Sequence, residues 1–174
     1  MTISDLQKLI RDVPDFPKAG ILFKDITPLL GNGEALRSTV SHLANRATVL
    51  RPDVIVAIES RGFIFGAAVA TFLGLGFVPV RKPGKLPWRS RRVSYALEYG
   101  SDSLEMHEDA VLQGGRALIV DDLLATGGTA GAAAELVRAT GAEVVGCAFV
   151  IELAFLGGRS RLAPTAVESL ITYE

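Results

Sequence analysis

Apolar residues along the chain are spaced in two ways. Leu36, Val40, Leu43, Ala44 and Ala47 recur every three to four positions and predict an amphipathic helix. Uninterrupted apolar runs at 54–58, 77–80, 117–120 and 144–151 have the length of strands and lack the alternation of a sheet with one wet face. Helical stretches at 63–73 and 129–139 lie between them. Strand–helix–strand alternation with strands apolar on both sides predicts an α/β fold, a mostly parallel central sheet flanked by helices. Ile3, Leu6, Leu9, Ile10 and Val13 predict a helix at the start of the chain. Ser4 and Gln7 stand there at capping-box separation, and Pro14-Asp15-Phe16-Pro17 ends it. Residues 94–99 and 103–107 flank Gly100-Ser101-Asp102 as an antiparallel pair, and 167–173 is a last strand.

Composition narrows the function classes. The 174 residues, 49% hydrophobic, suit one domain with its own core and exclude a disordered chain. A net charge of −1 argues against a general nucleic-acid binder. Trp88 within the basic stretch 81–92 is one aromatic, too few for a stacking platform. Residues 62–80 carry no charge and have the length of a membrane span, but Gly74-Leu75-Gly76 breaks the run and 77–80 then reads as a strand. No membrane partner is therefore expected. Cys147, the single cysteine, lies in an apolar run and has no internal partner, which suits a reducing cytoplasm. The first ten residues lack a secretory apolar core. His42 and His107 are isolated, and no spacing points to structural zinc.

The chemistry concentrates where apolar strands end. The run 117–120 passes into Asp121-Asp122-Leu123-Leu124-Ala125-Thr126-Gly127-Gly128-Thr129 and then into an Ala-rich helix. Glycines without Cβ let backbone N–H groups approach a ligand, Thr126 and Thr129 add hydroxyls, and a helix N-terminus favours a dianion. Paired carboxylates are poor phosphate ligands but accept hydrogen bonds from a sugar diol. The stretch reads as a site for a phosphate with vicinal hydroxyls beside it, a ribose phosphate. The plainer alternative is a tight turn with two surface acids, and an acid pair at a strand end can also hold a metal; the ribose-phosphate reading is preferred because it uses every part of the stretch. Glu59-Ser60-Arg61-Gly62 follows the strand 54–58, and Arg81-Lys82 follows 77–80. Three strand ends thus bring polar residues to one edge of the sheet, where open α/β sheets bind ligands. Pro83, Gly84 and Pro87 make 83–99 a candidate lid, with Arg81, Lys82 and Lys85 as anion ligands and Arg89, Arg91 and Arg92 as solvated charges.

The stretch 117–129 resembles the signature of the type I phosphoribosyltransferases, which use 5-phosphoribosyl-1-pyrophosphate. It lacks the Gly-Lys-Ser/Thr ending of a nucleoside-triphosphate loop. Residues 14–28, 59–63, 84–87 and 95–100 are similar to the adenine-specific branch, with Ala19 where Pro is usual and Lys24 where Arg is common. The resemblance covers nearly the whole chain. It implies one domain over 1–174, with a helix and base-binding hood at 1–30 and a core at 31–174. It also implies conversion of adenine and phosphoribosyl pyrophosphate to AMP and pyrophosphate, with Mg²⁺ held mainly by substrate and water, in a cytoplasmic homodimer. Asp121, Asp122, Ala125, Thr126, Gly127, Gly128 and Thr129 would then hold ribose and 5′-phosphate. Ser60, Arg61, Arg81, Lys82 and Lys85 would face pyrophosphate, with a cis peptide at Ser60–Arg61 and Arg81 reaching the partner's site. Phe23 would stack on adenine while the main chain of Leu22 and Lys24 reads its edge. Glu98, Arg61 and Lys85 would be catalytic, and Tyr99 would close over the site. A non-catalytic sensor of phosphoribosyl pyrophosphate, or a transferase for another base, are the alternatives; the purine hood and the 95–100 segment disfavour the first, and the hood disfavours the second.

Overall fold

The computed structural model describes residues 1–96 and 101–174. The chain starts with α1 (Ile3–Gln7), capped by Thr2. The Asp5 amide donates to the Thr2 hydroxyl oxygen and the Thr2 amide to the Asp5 carboxylate, each at 3.2 Å. The capping box is therefore Thr2 with Asp5, not Ser4 with Gln7, and the helix stops well before Val13. Val13 belongs to β1 (Arg11–Pro14), which pairs antiparallel with β2 (Leu22–Asp25) and sets Val13 opposite Phe23. Pairing across a turn has overridden helical spacing here. The short α2 (Thr27–Gly31) carries Pro in its first turn. In α3 (Gly33–Val49), Asn32 caps the Glu34 and Ala35 amides at 3.1 Å, and the predicted face Val40, Leu43, Ala44 and Ala47 is buried.

The rest of the chain runs β3 (Val54–Ile58), α4 (Arg61–Leu73), β4 (Gly76–Val80), β5 (Ser90–Ala96), β6 (Ser101–His107), β7 (Arg116–Leu124), α5 (Gly128–Arg138), β8 (Glu143–Leu153), α6 (Gly158–Leu162) and β9 (Val167–Tyr173); the alternation is the predicted one, except that β5 starts at Ser90, β6 takes in Ser101 and Asp102, and α6 was not expected. The five-stranded sheet has the order β4-β3-β7-β8-β9 with every neighbouring pair parallel. Ile55, Leu118, Val120, Ala148 and Val150 pack with α3 and α4. Val56, Ile119, Cys147 and Phe149 pack with α5 and the β5–β6 hairpin. Both faces are covered, which is why the strands are continuously apolar. Phe65 and Phe149 are fully buried, each worth about 1.5–3 kcal/mol of transfer free energy.

Strand order fixes where a ligand can sit. From β3 the chain crosses over α4 to β4 on one side, and from β7 it crosses over α5 to β8 on the other. The last β3–β7 pair is Ala57 with Val120, whereas β7 stays paired with β8 as far as Leu124. The two strands fork immediately before Asp121 and Asp122. A fork at the point where chain direction reverses is the ligand crevice of open α/β sheets.

Candidate active site

A cavity of about 240 Å³ opens at this fork, lined by Glu59, Ser60, Arg61, Asp121, Asp122 and the loop through Thr129. The loop passes from β7 into the N-terminus of α5, and Gly127 turns it with φ +80° and ψ 0°. That conformation is open to glycine and costly for a β-substituted residue. Gly158, at the start of α6, backs the loop: a Cβ there would lie 2.2 Å from the Ala125 carbonyl oxygen and 2.9 Å from the Gly127 nitrogen. The α6 segment is fixed in turn by Arg159, which donates to both oxygens of the buried Glu152 (2.9 and 2.5 Å) and to the Val167 carbonyl (2.7 Å).

Asp121 and Asp122 are adjacent carboxylates on the cavity wall, Asp122 buried and Asp121 half-buried. Burial pushes the Asp121 carboxyl well above the usual aspartate range, and the charge of Asp122 adds to the effect. Asp122 is raised too, by burial, with Arg61 opposing the rise. Arg61 Nε lies 3.0 Å from Asp122 Oδ2, an ion pair without hydrogen-bond alignment. Asp122 Oδ2 is therefore a buried oxygen with no hydrogen-bond partner among the described residues. Such an atom fits an incoming donor or a hard cation. Among the described residues, no third His, Cys, Asp or Glu joins the pair in metal-binding geometry.

The same guanidinium stands 5.2 Å from the centre of the Phe23 ring, within cation–π range. Phe23 in turn meets Phe16 edge-to-face at 5.1 Å. Lys24 turns its side chain away: Nζ is 2.6 Å from Asp12 Oδ1 and 3.9 Å from the Tyr173 ring centre. Its main chain and the half-exposed Leu22 remain along β2.

The cations beyond β4 are already paired. Glu59, at the end of β3, accepts from Arg81 Nε (3.0 Å), the Lys82 amide (2.9 Å) and Lys85 Nζ. Burial opposes ionisation of Glu59, but these three donors outweigh it and hold the carboxyl below its ordinary range. Lys82 Nζ pairs with Asp102. Glu105 ties the basic segment down, accepting from the Gly84 amide at 2.9 Å and from Arg92 at 2.9 and 2.6 Å. Arg92 is thus ion-paired, and 90–96 is a strand, so the loop character expected across the basic stretch stops at Arg89. The cis peptide lies one bond earlier than expected, at Glu59–Ser60. Glu98 and Tyr99 lie outside the described residues.

A profile of the phosphoribosyl transferase domain matches residues 40–166. An adenine phosphoribosyltransferase of Sorangium cellulosum is 62% identical over 92% of this chain and 80% of its own length. The crystal structure of the enzyme of that name from Thermoanaerobacter pseudethanolicus superposes with a TM-score of 0.97 at 52% identity, covering 99% of this chain and all of the other. The chain belongs to the adenine phosphoribosyltransferases. The Saccharomyces cerevisiae member, solved with adenine and an imino-altritol bisphosphate, superposes at 0.91 with 42% identity, each chain covered to 97%. The family is one of purine-salvage pentosyltransferases: adenine and phosphoribosyl pyrophosphate become AMP and pyrophosphate.

Of the predicted site residues, Ser60, Arg61, Asp121, Asp122 and Ala125 to Thr129 line one cavity, and Phe23 does not line it but meets Arg61 at 5.2 Å. Arg81, Lys82 and Lys85 are on the β4 side, linked to the cavity through Glu59. Asp102, Glu105 and Gly158 are site neighbours that sequence reasoning did not single out, and it gives Glu59, noted in the 59–62 turn, no role there. Glu59 had a signal, since it opens the 59–62 turn; Asp102 reads only as part of the hairpin turn, and no local pattern marks Glu105 or Gly158.

Proposed function

We propose that the cavity binds phosphoribosyl pyrophosphate with its 5′-phosphate in the 125–129 loop and its ribose diol on Asp121 and Asp122. Pyrophosphate faces Ser60, Arg61, Arg81, Lys82 and Lys85, and adenine lies on Phe23 with Leu22 and Lys24 at its edge; residues 1–30 act as the hood. The observation that carries this reading is Arg61, which reaches Asp122 with Nε and Phe23 with its guanidinium face. One side chain spans the base and ribose subsites at the bond to be made.

In the reaction an imidazole nitrogen of adenine attacks the anomeric carbon as the bond to pyrophosphate oxygen breaks. Positive charge develops on the ribose and is offset by the acid pair; negative charge develops on pyrophosphate and is met by Arg61 and Lys85. The proton of the attacking base passes to Glu98. Asp122 Oδ2, ion-paired with Arg61 but without a hydrogen-bond partner among the described residues, and the neighbouring Asp121 carboxylate are hard oxygen donors that would suit a water of Mg²⁺. Mg²⁺, when bound with the substrate, supplies neutralisation of pyrophosphate charge. The reading extends to a homodimer, supported by the exposed apolar Ile64 and Phe72 on α4, and to a cytoplasmic setting, supported by a single, buried cysteine that has no second cysteine to pair with in the chain. Among the described residues no helix is long and apolar enough to cross a membrane.

Two measurements test it. Adenine should be turned over with a kcat/KM above those of hypoxanthine, guanine and orotate by about 10²-fold or more, since a carbonyl set to accept an amino proton repels a 6-oxo group. Equal use of hypoxanthine would defeat the base assignment. Affinity for phosphoribosyl pyrophosphate should also fall on acidification. Because the acid pair's pKa is raised, the proton that cancels its acceptor role binds at a higher pH than an exposed aspartate would require. Asp121→Asn should flatten that profile; an unchanged profile would take the pair out of ribose binding.

A further inference from the structure

Tyr95 is 8% exposed, its ring packed in the core beside α5. Its hydroxyl nevertheless meets polar groups on two sides. It accepts from Thr129 Oγ1 at 3.3 Å and donates to Asp102 Oδ2 at 3.3 Å. Asp102 is the direct cross-strand partner of Tyr95 in the β5–β6 hairpin, and the same Oδ2 accepts from Lys82 Nζ. Asp102 Oδ1 is held by the Ser103 amide at 2.8 Å. Burial opposes charge on both partners, but their pairing lowers the Asp102 carboxyl and raises the Lys82 amine, so both stay ionised near neutrality. A single line of polar groups, Thr129–Tyr95–Asp102–Lys82, therefore runs from the first turn of α5 to the segment after β4.

We propose that Tyr95 and Asp102 are positioning residues that set the spacing between the 5′-phosphate subsite at Thr129 and the pyrophosphate-facing Lys82. The proposal rests on the subsite assignment made above. Neither residue lines the cavity with the phosphate loop. The Tyr95 ring is rigid, packed against α5, and bonded at its far end to the hairpin that carries Asp102. A ligand that spans both subsites gains from a fixed spacing, because its second anion docks without ordering a loose lysine. A ligand that occupies one subsite gains nothing from it.

The test is Tyr95→Phe, which deletes one hydroxyl and keeps the ring. Calorimetric titration in magnesium buffer is run with phosphoribosyl pyrophosphate, with ribose 5-phosphate and with inorganic pyrophosphate. The expected result is a loss of about tenfold in affinity for phosphoribosyl pyrophosphate, with the two single-subsite ligands within twofold of the parent. Equal losses for all three, or none, would overturn the proposal. Asp102→Asn combined with Tyr95→Phe should lose less than the sum of the two single changes, because both act on one line; simple addition would also overturn it. Thr129→Ala and Lys82→Ala separate this from the underlying reading. If Thr129→Ala leaves ribose 5-phosphate binding intact, or Lys82→Ala leaves pyrophosphate binding intact, the subsites are wrong and the link falls with them. If both weaken as assigned while Tyr95→Phe binds phosphoribosyl pyrophosphate normally, the link alone fails.

Discussion

Arg61→Met is expected to lower kcat/KM for phosphoribosyl pyrophosphate by about 10²–10³-fold, the usual cost of removing a preorganised group that meets transition-state charge. Met keeps much of the length and apolar stem of Arg while deleting the charge. Three contributions are lost together. The guanidinium no longer meets charge developing on the leaving group. Asp122, 4% exposed, loses the cation 3.0 Å from its Oδ2, so its carboxyl is pushed further toward the neutral form and becomes a poorer acceptor. The contact with the Phe23 ring at 5.2 Å also goes, which loosens the base subsite. Arg61→Lys restores charge without the planar face, and an intermediate rate is expected. Pre-steady-state rates beside a thermal melt separate chemistry from folding. A folded Met variant within threefold of the parent would remove Arg61 from the reaction.

Gly158→Ala is expected to raise KM for phosphoribosyl pyrophosphate by about 10²-fold, the scale of a 1 Å misplacement in a positioned site, while KM for adenine changes little. No existing atom of Gly158 touches the cavity lining as a ligand; the effect comes from the carbon it lacks. A Cβ would stand 2.2 Å from the Ala125 carbonyl oxygen and 3.0 Å from Leu124 Cδ1. The loop carbonyl is backbone and cannot rotate aside, and α6 cannot withdraw because Arg159 is clamped to Glu152 and to the Val167 carbonyl. The 125–129 loop, the proposed 5′-phosphate subsite, must therefore shift. Gly157→Ala is the control. Its φ of +69° makes alanine unfavourable, but a Cβ there meets nothing within 4 Å, so about 1 kcal/mol of stability is at stake and the substrate KM should hold. If both variants behave alike, the effect is general destabilisation and not loop displacement.

Much of the site was legible because its parts are local. Asp121-Asp122 and the Thr/Gly loop follow an apolar strand within a few residues, and small residues before a helix suit an anion through their own backbone. Arg81, Lys82 and Lys85 were visible as cations after a strand. What they touch was not visible: Glu59, 22 residues before Arg81, takes two of the three, and Asp102 takes Lys82. Charge pairing between distant segments leaves no periodic mark. The N-terminal segment failed in the opposite sense, because Val13 fits a helical spacing yet is paired with Phe23 across a turn.

The sequence by itself determined the α/β class, most of the strands and helices, and the small-residue loop that follows the acid pair. Apolar period and small-residue runs act over a few residues and survive without knowledge of the fold. Only the tertiary structure decided that β3 lies beside β7 and leaves it after Val120, so that Glu59, Arg61 and the acid pair meet around one cavity. It also decided that Gly158 comes in from the far end of the chain to back the phosphate loop. Strand order and close backbone approach depend on contacts between residues dozens of positions apart, and these form only when the whole core packs.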